Sequence, residues 1–144
     1  RKIEEFRSGY FMAATNILDS IDPALWRRFN LQIEITIPSA EERFAIIKRY
    51  AEPYATSDVD IDPLVGATDG ASPALLKELI ENIKRSLIIW PKIKLPHESA
   101  ASLIGASVAA TLPPPGMDVP KLWQATEHIE RLASSVKWPW MIKS

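Results

Sequence analysis

Polar and apolar positions divide the chain into a short opening stretch with extended-type patterns and a longer remainder with helical ones. After the charge-rich residues 1–7 and a Ser8-Gly9 break, Tyr10-Phe11-Met12-Ala13-Ala14 forms an apolar run ending at Thr15-Asn16. A short continuous run of this kind predicts a buried strand, a type normally covered on both faces. Asp22 then offers an N-cap and Pro23 a pre-set first helical residue, so a short helix is expected over 22–28. From Leu31 to Ile37, Leu31, Ile33, Ile35 and Ile37 alternate with Gln32, Glu34 and Thr36, the period of a half-exposed strand.

Helical spacing takes over beyond that point. Ser39-Ala40-Glu41-Glu42 has the form of a capping box. The helix it opens carries Phe44, Ile47 and Ala51 on one stripe, and Pro53 stops it. A short helix is expected over 60–67, followed by a turn at Thr68-Asp69-Gly70-Ala71. Ser72-Pro73 repeats the cap-plus-proline signal. The next helix points Leu75, Leu76, Leu79, Ile80, Ile83 and Leu87 inward, sets Lys77, Glu81 and Arg85 in a polar ladder, and is expected to end at Trp90-Pro91. A helix of small residues is expected over about 98–111. Leu112-Pro113-Pro114-Pro115-Gly116 reads as a stiff connector, and a last helical segment runs from Asp118-Val119-Pro120 to about Val136. No internal repeat is visible.

Composition narrows the class. The 144 residues are 47% hydrophobic and 24% charged, which suits a soluble globular domain of ordinary size. A net charge of −1 favours neither nucleic acid nor an anionic membrane. With no cysteine, disulfide and thiolate chemistry are excluded, which fits a reducing cytoplasm. No apolar stretch approaches the ~20 residues of a spanning helix, and no secretory leader is visible. The first residue is Arg1 rather than Met, consistent with a piece of a longer protein.

The chemistry concentrates between Phe11 and Pro38. Asn16 ends an expected strand, the position where open α/β sheets bind ligands. Its amide can donate while its carbonyl accepts, so it could hold a phosphate oxygen and a water together. Arg27 and Arg28, permanently charged and planar, suit phosphate oxygens. Taken singly, such an Asn is commonly a turn residue and such arginines commonly oppose a helix dipole. Their joint order and spacing carry the signal.

An apolar strand, Thr-Asn, Asp-Pro-Ala-Leu and Arg-Arg-Phe in that order resemble the second half of the AAA+ ATPase core. The resemblance implies that Asn16 is the sensor-1 residue, positioning the attacking water near the γ-phosphate. It implies that Arg28, with Arg27 beside it, is an arginine finger acting on nucleotide held by a neighbouring subunit. Residues 37–43 (Ile-Pro-Ser-Ala-Glu-Glu-Arg) resemble the family's entry into its helical lid. Residues 68–77 resemble the lid segment that packs near nucleotide, making Ser72 and Ala74 candidate nucleotide contacts. The resemblance spans about residues 10–89.

Two departures qualify it. Where some family members carry a sensor-2 arginine, this chain has Pro73-Ala74, and Pro73 removes an amide that could meet phosphate. The five glycines, at 9, 66, 70, 105 and 116, offer no Gly-Lys step of a P-loop, and no apolar run ends in Asp-Glu. The family places both motifs upstream of sensor 1. Alone, the chain is therefore expected to hydrolyse no ATP, and no metal site is expected within it. His97 and His128 lack ligand-spaced carboxylates, the basic residues of the 73–90 helix alternate with Glu78 and Glu81, and Trp123, Trp138 and Trp140 read as packing anchors.

The expected fold is mainly α with a small α/β remnant: residues 1–37 as the end of a P-loop-type parallel sheet, 38–111 as a helical lid, and 112–144 as a tail whose helix packs on the lid. The resemblance implies a cytoplasmic, ATP- and magnesium-dependent protein-remodelling machine working as a homo-oligomeric ring, a hexamer by family habit. Membrane and nucleic-acid partners are not expected. The alternative is a non-enzymatic lid-like module that docks on another protein, which the missing P-loop favours and the paired arginines oppose.

Overall fold

Residues 9–15, 17–55, 57–93, 100–136 and 141–142 are described by the computed structural model. The chain divides into two compact units, Arg1–Ile35 and Thr36–Ser144.

In the first unit one 3-10 turn, Leu18–Ser20, precedes α1, Pro23–Trp26. The cap-plus-proline start is present: the Ala24 N–H donates to Asp22 Oδ1 at 2.8 Å, and Pro23 opens the helix. The helix is shorter than the expected 22–28 because its end tightens. Arg28 N–H reaches Leu25 O (3.1 Å) and Phe29 N–H reaches Trp26 O (3.3 Å), the three-residue bonding of a 3-10 turn. The two expected strands are not formed among the described residues. Residues 10–15 and 31–37 have no ladder partner, and their apolar side chains face solvent, with Tyr10 97% and Ile35 85% exposed. A strand is a property of a pair: without a neighbouring backbone to bond, alternation alone does not fix one.

The second unit is a helical bundle. Its helices are α2 (Ala40–Ala51), α3 (Asp58–Ala67), α4 (Pro73–Ile93), α5 (Ala100–Ala109) and α6 (Thr126–Ser135). Two-residue strands, β1 (Tyr54–Ala55) and β2 (Met141–Ile142), pair antiparallel, with Tyr54 opposite Ile142. The capping box is complete: Glu42 N–H donates to Ser39 Oγ at 3.3 Å, and Ser39 N–H donates to Glu42 Oε2 at 2.8 Å. At α4, Leu75 N–H donates to Ser72 Oγ at 3.3 Å. Gly70, at φ +83°, turns the chain between α3 and α4, a backbone state that glycine adopts without strain.

The core lies where α4 meets α2 on one side and α5 on the other, with α3 against α2 and α6 against both α3 and α5. Leu75, Leu76, Leu79, Ile80 and Ile83 of α4 are buried with Ile47, Ile61, Leu64, Ile104 and Leu132. Burying such a side chain is worth about 1.5–3 kcal/mol, so α4 is the element the bundle depends on most. Leu87, expected inward, is half-buried against the same cluster.

Three sequence expectations are revised here. The helix of residue 73 onward does not stop at Trp90-Pro91 but continues to Ile93, since a proline in the last turn forfeits only one hydrogen bond. The last helical segment is broken into a 3-10 turn, Lys121–Trp123, and α6, because Ala125 between them is extended (φ −154°, ψ 147°). The polar ladder of Lys77, Glu81 and Arg85 is replaced by other pairings. Glu81 pairs with Lys84 at 3.1 Å, Arg85 donates to Asn82 Oδ1 at 3.0 Å, and Lys77 lies over the Tyr50 ring.

A polar seam runs through the apolar α4–α5 contact. Asn82 Nδ2 donates to Thr111 Oγ1 at 2.8 Å, Thr111 Oγ1 donates to Ser107 O at 2.8 Å, and Ser107 Oγ donates to Leu103 O at 2.9 Å. All three polar side chains are buried, and each finds a partner, as burial requires.

Candidate functional site

Arg27 and Arg28 follow α1 directly and form its closing turn. Local sequence fixes that turn from both sides. Asp22 caps its start, and Gln32 Nε2 donates to the Trp26 carbonyl at 3.2 Å, holding the segment that leaves it. The Phe29 ring sits 5.8 Å from Phe11, a tilted aromatic pair that ties the turn to the apolar run preceding it. The result is two adjacent guanidinium groups on a short turn with defined backbone, both on exposed residues. Two planar cations so placed can each fork onto a phosphate or carboxylate brought to them.

Asn16, the remaining expected member of this site, lies outside the described residues. Thr15 Oγ1 accepts from Ile17 N–H at 3.1 Å. Ser72 and Ala74 belong to the second unit, at the N-terminus of α4. The Ser72 hydroxyl is engaged by the Leu75 amide and the Ser72 carbonyl by Leu76 N–H at 3.0 Å. With proline at 73, Ala74 offers the free amide of that first turn, and Ala74 is exposed. Among the described residues, no group of three or more His, Cys, Asp or Glu side chains gathers where a metal could bind. His97 lies outside the described residues, and no described helix is long and apolar enough to cross a membrane.

Sequence reasoning included Arg43 in the 37–43 resemblance but assigned it no role. Arg43 is buried on α2, and all three nitrogens of its guanidinium are engaged. A signal was present: positions 43, 47 and 51 share one helical stripe, so a charge stands where the pattern asks for an apolar side chain.

No family model matches the chain, and no solved structure matches it either. Curated proteins do. An ATP-dependent zinc metalloprotease FtsH 3 from Sphaerobacter thermophilus is 42% identical over 73 residues, covering 48% of this chain and 15% of that protein. A proteasome-activating nucleotidase from Methanothermobacter thermautotrophicus is 44% identical over 71 residues, or 47% of this chain and 17% of its own length. An ATP-dependent zinc metalloprotease FtsH 2 from Salinibacter ruber is 39% identical over 80 residues, which is 54% of this chain and 12% of that protein. The chain thus spans less than a fifth of the length of these relatives. Similarity at about 40% identity over half of its residues points to the AAA+ ATPase family.

Proposed function

We propose that this chain supplies the trans-acting half of an ATP-hydrolysing site in a ring-shaped, protein-remodelling AAA+ machine. Arg28, seconded by Arg27, acts on the γ-phosphate of ATP held by the neighbouring subunit, and Asn16 serves as sensor 1 in its own subunit. The observation that carries this is the capped, doubly bonded turn that presents two guanidinium groups in a chain homologous to ATP-dependent proteins. A trans arginine stabilises charge developing on the transferring phosphoryl group, an effect on the order of a thousandfold or more.

ATP and its magnesium ion supply the phosphoryl chemistry when bound, and this chain's fit to them is cationic. Arg27 and Arg28 match the phosphate charge, whereas the P-loop and the metal-binding carboxylates are for other parts of the subunit to provide. In the assembled core, residues 10–14 and 31–37 are strands of the shared sheet, which accounts for apolar side chains that face solvent in this chain. The second unit is the lid, with Ser72 and Ala74 nearest the nucleotide. The assembly is a cytoplasmic homo-oligomer, a hexamer, acting on protein rather than on nucleic acid.

The test uses the intact ATPase subunit containing this segment. Arg28→Ala abolishes hydrolysis while nucleotide affinity stays nearly unchanged, and Arg28→Lys restores little because an ammonium lacks the planar fork. Mixing the Arg28→Ala subunit with a subunit inactivated at its P-loop lysine restores part of the activity, since some interfaces then join an intact P-loop to an intact arginine. Mixed rings that form but stay inactive would overturn the trans assignment, as would an Arg28→Ala subunit with normal turnover.

A further inference from the structure

Arg43 shares the inward stripe of α2 with Ile47 and Ala51, and it is buried like them, at 6% exposure. A guanidinium persists in such a place only when its charge and donors are met. Each of its nitrogens meets a different segment. Nη1 donates to Pro38 O at 2.8 Å, Nε donates to Val65 O at 3.2 Å, and Nη2 pairs with Asp69 Oδ1 at 2.9 Å. Pro38 lies where the chain enters the second unit, Val65 in the last turn of α3, and Asp69 in the turn ahead of α4. Two of the three acceptors are main-chain carbonyls, so the guanidinium holds backbone in place and not merely a side-chain rotamer.

The turn it grips is itself stiff. Thr68 Oγ1 donates to Leu64 O at 2.7 Å, Ala71 N–H donates to Thr68 O at 3.0 Å, and Gly70 takes its positive φ between them. Asp69 reaches solvent, with its side chain 69% exposed. Nothing about covering α2 requires an arginine; a leucine or methionine would fill the stripe with less desolvation.

We propose that Arg43 is a positioning residue: a planar strut that locks the entry segment at Pro38 to the 68–70 turn, so that the two move as one piece. Only a fork with donors in three fixed directions does this; a lysine ammonium on its flexible stem reaches one or two of the acceptors at a time. The functional consequence rests on the function proposed above. There, residues 68–77 lie near nucleotide and residues 36–38 lead in sequence from the part carrying Arg27 and Arg28. A displacement at the turn therefore reaches the entry segment through a single side chain.

The strut is tested first without nucleotide, in this chain as it stands. It has no cysteine, so exposed Thr36 and Glu78 can be replaced by cysteines and spin-labelled selectively. The parent gives one narrow distance distribution. Arg43→Lys broadens it at least twofold at temperatures well below unfolding, with helix content unchanged, and Asp69→Asn broadens it less. A merely structural arginine would lower the melting temperature and leave the distribution narrow, and that result overturns the proposal. Arg43→Met is informative if it folds; Arg43→Lys and Asp69→Asn decide the matter if it does not.

The second arm uses the intact ATPase. Arg43→Lys lowers kcat about tenfold with little change in KM, and the same subunit binds nucleotide normally. A broadened distribution with unchanged kcat, in a protein whose Arg28→Ala variant is inactive, overturns the coupling role. An Arg28→Ala variant that remains active overturns the function proposed above instead, and the strut then stands or falls on the distances.

Discussion

Trp123 donates its indole N–H to the Thr111 carbonyl at 2.6 Å, joining the two ends of the loop that carries the proline run. The same N–H lies 3.2 Å from Val108 O, so one side chain ties the loop to the end of α5. Gly116, at φ +84°, and the bond from Met117 N–H to Pro114 O at 3.4 Å turn the run back on itself. The connector is therefore stiff and returns to its starting point, with Leu112 and Val119 exposed on its two arms.

Replacing Trp123 by Phe keeps most of the apolar contact and removes the donor. Thr111 is fully buried, so its carbonyl loses a partner that water cannot readily replace, at a cost of about 1–3 kcal/mol. Thermal unfolding should register this as a fall of roughly 2–4 °C per kcal/mol. A melting temperature equal to the parent's would show that the indole bond contributes nothing.

Alanine at two glycines should act in opposite directions. At Gly70 an added Cβ meets only Pro120, at 3.9 and 4.0 Å, ordinary contact distances, so the φ of +83° alone makes the change unfavourable, by about 1 kcal/mol. At Gly66, inside α3 with nothing within 4 Å, alanine should stabilise by about 0.5–1 kcal/mol through helix propensity. Denaturant midpoints of the two variants should fall on either side of the parent's.

Isolated, the chain should neither bind ATP measurably in calorimetry nor turn it over. It has no Gly-Lys step to cradle phosphates, and two arginines without a P-loop form no nucleotide pocket. Micromolar affinity with turnover would contradict a site divided between subunits.

Concentrated solutions of the chain should self-associate through its first unit. Ile33 and Ile35 are 76% and 85% exposed on a segment with strand alternation and unbonded backbone, a template for edge-to-edge pairing. Replacing both by lysine should return the sedimentation profile to monomer. A parent that is already monomeric at millimolar concentration would refute the expectation.

What could be foreseen from sequence depended on how local each cause was. Asp22-Pro23, Ser39 with Glu42, and Ser72-Pro73 mark helix starts that the structure reproduces, because a cap and its amide lie two or three residues apart. The inward face of α4 was equally legible from its spacing. The strands expected at 10–14 and 31–37 do not form, because alternation is local while a ladder partner would have to come from elsewhere. The pairing of Tyr54–Ala55 with Met141–Ile142 was hidden, for nothing near either segment announces the other. At the candidate site, the order of Asn16, Arg27 and Arg28 was visible, while the threefold grip of Arg43 needed the bundle to bring Pro38, Val65 and Asp69 around it.

The Asn82–Thr111 pair has a bearing on how α5 finds its seat. Ala100–Ala109 reads AASLIGASVA, a nearly smooth rod of small and aliphatic residues that could slide along α4 by a turn at slight loss of apolar contact. A slid helix would carry Thr111 away from Asn82 and leave polar atoms stranded in a dry interface. Only one longitudinal setting satisfies both groups, so the pair works as an alignment notch: it adds little net stability, yet it makes every neighbouring setting worse. Asn82→Leu combined with Thr111→Val should then yield a bundle that melts no earlier but whose α5 amide resonances are multiplied, several settings sharing one fold.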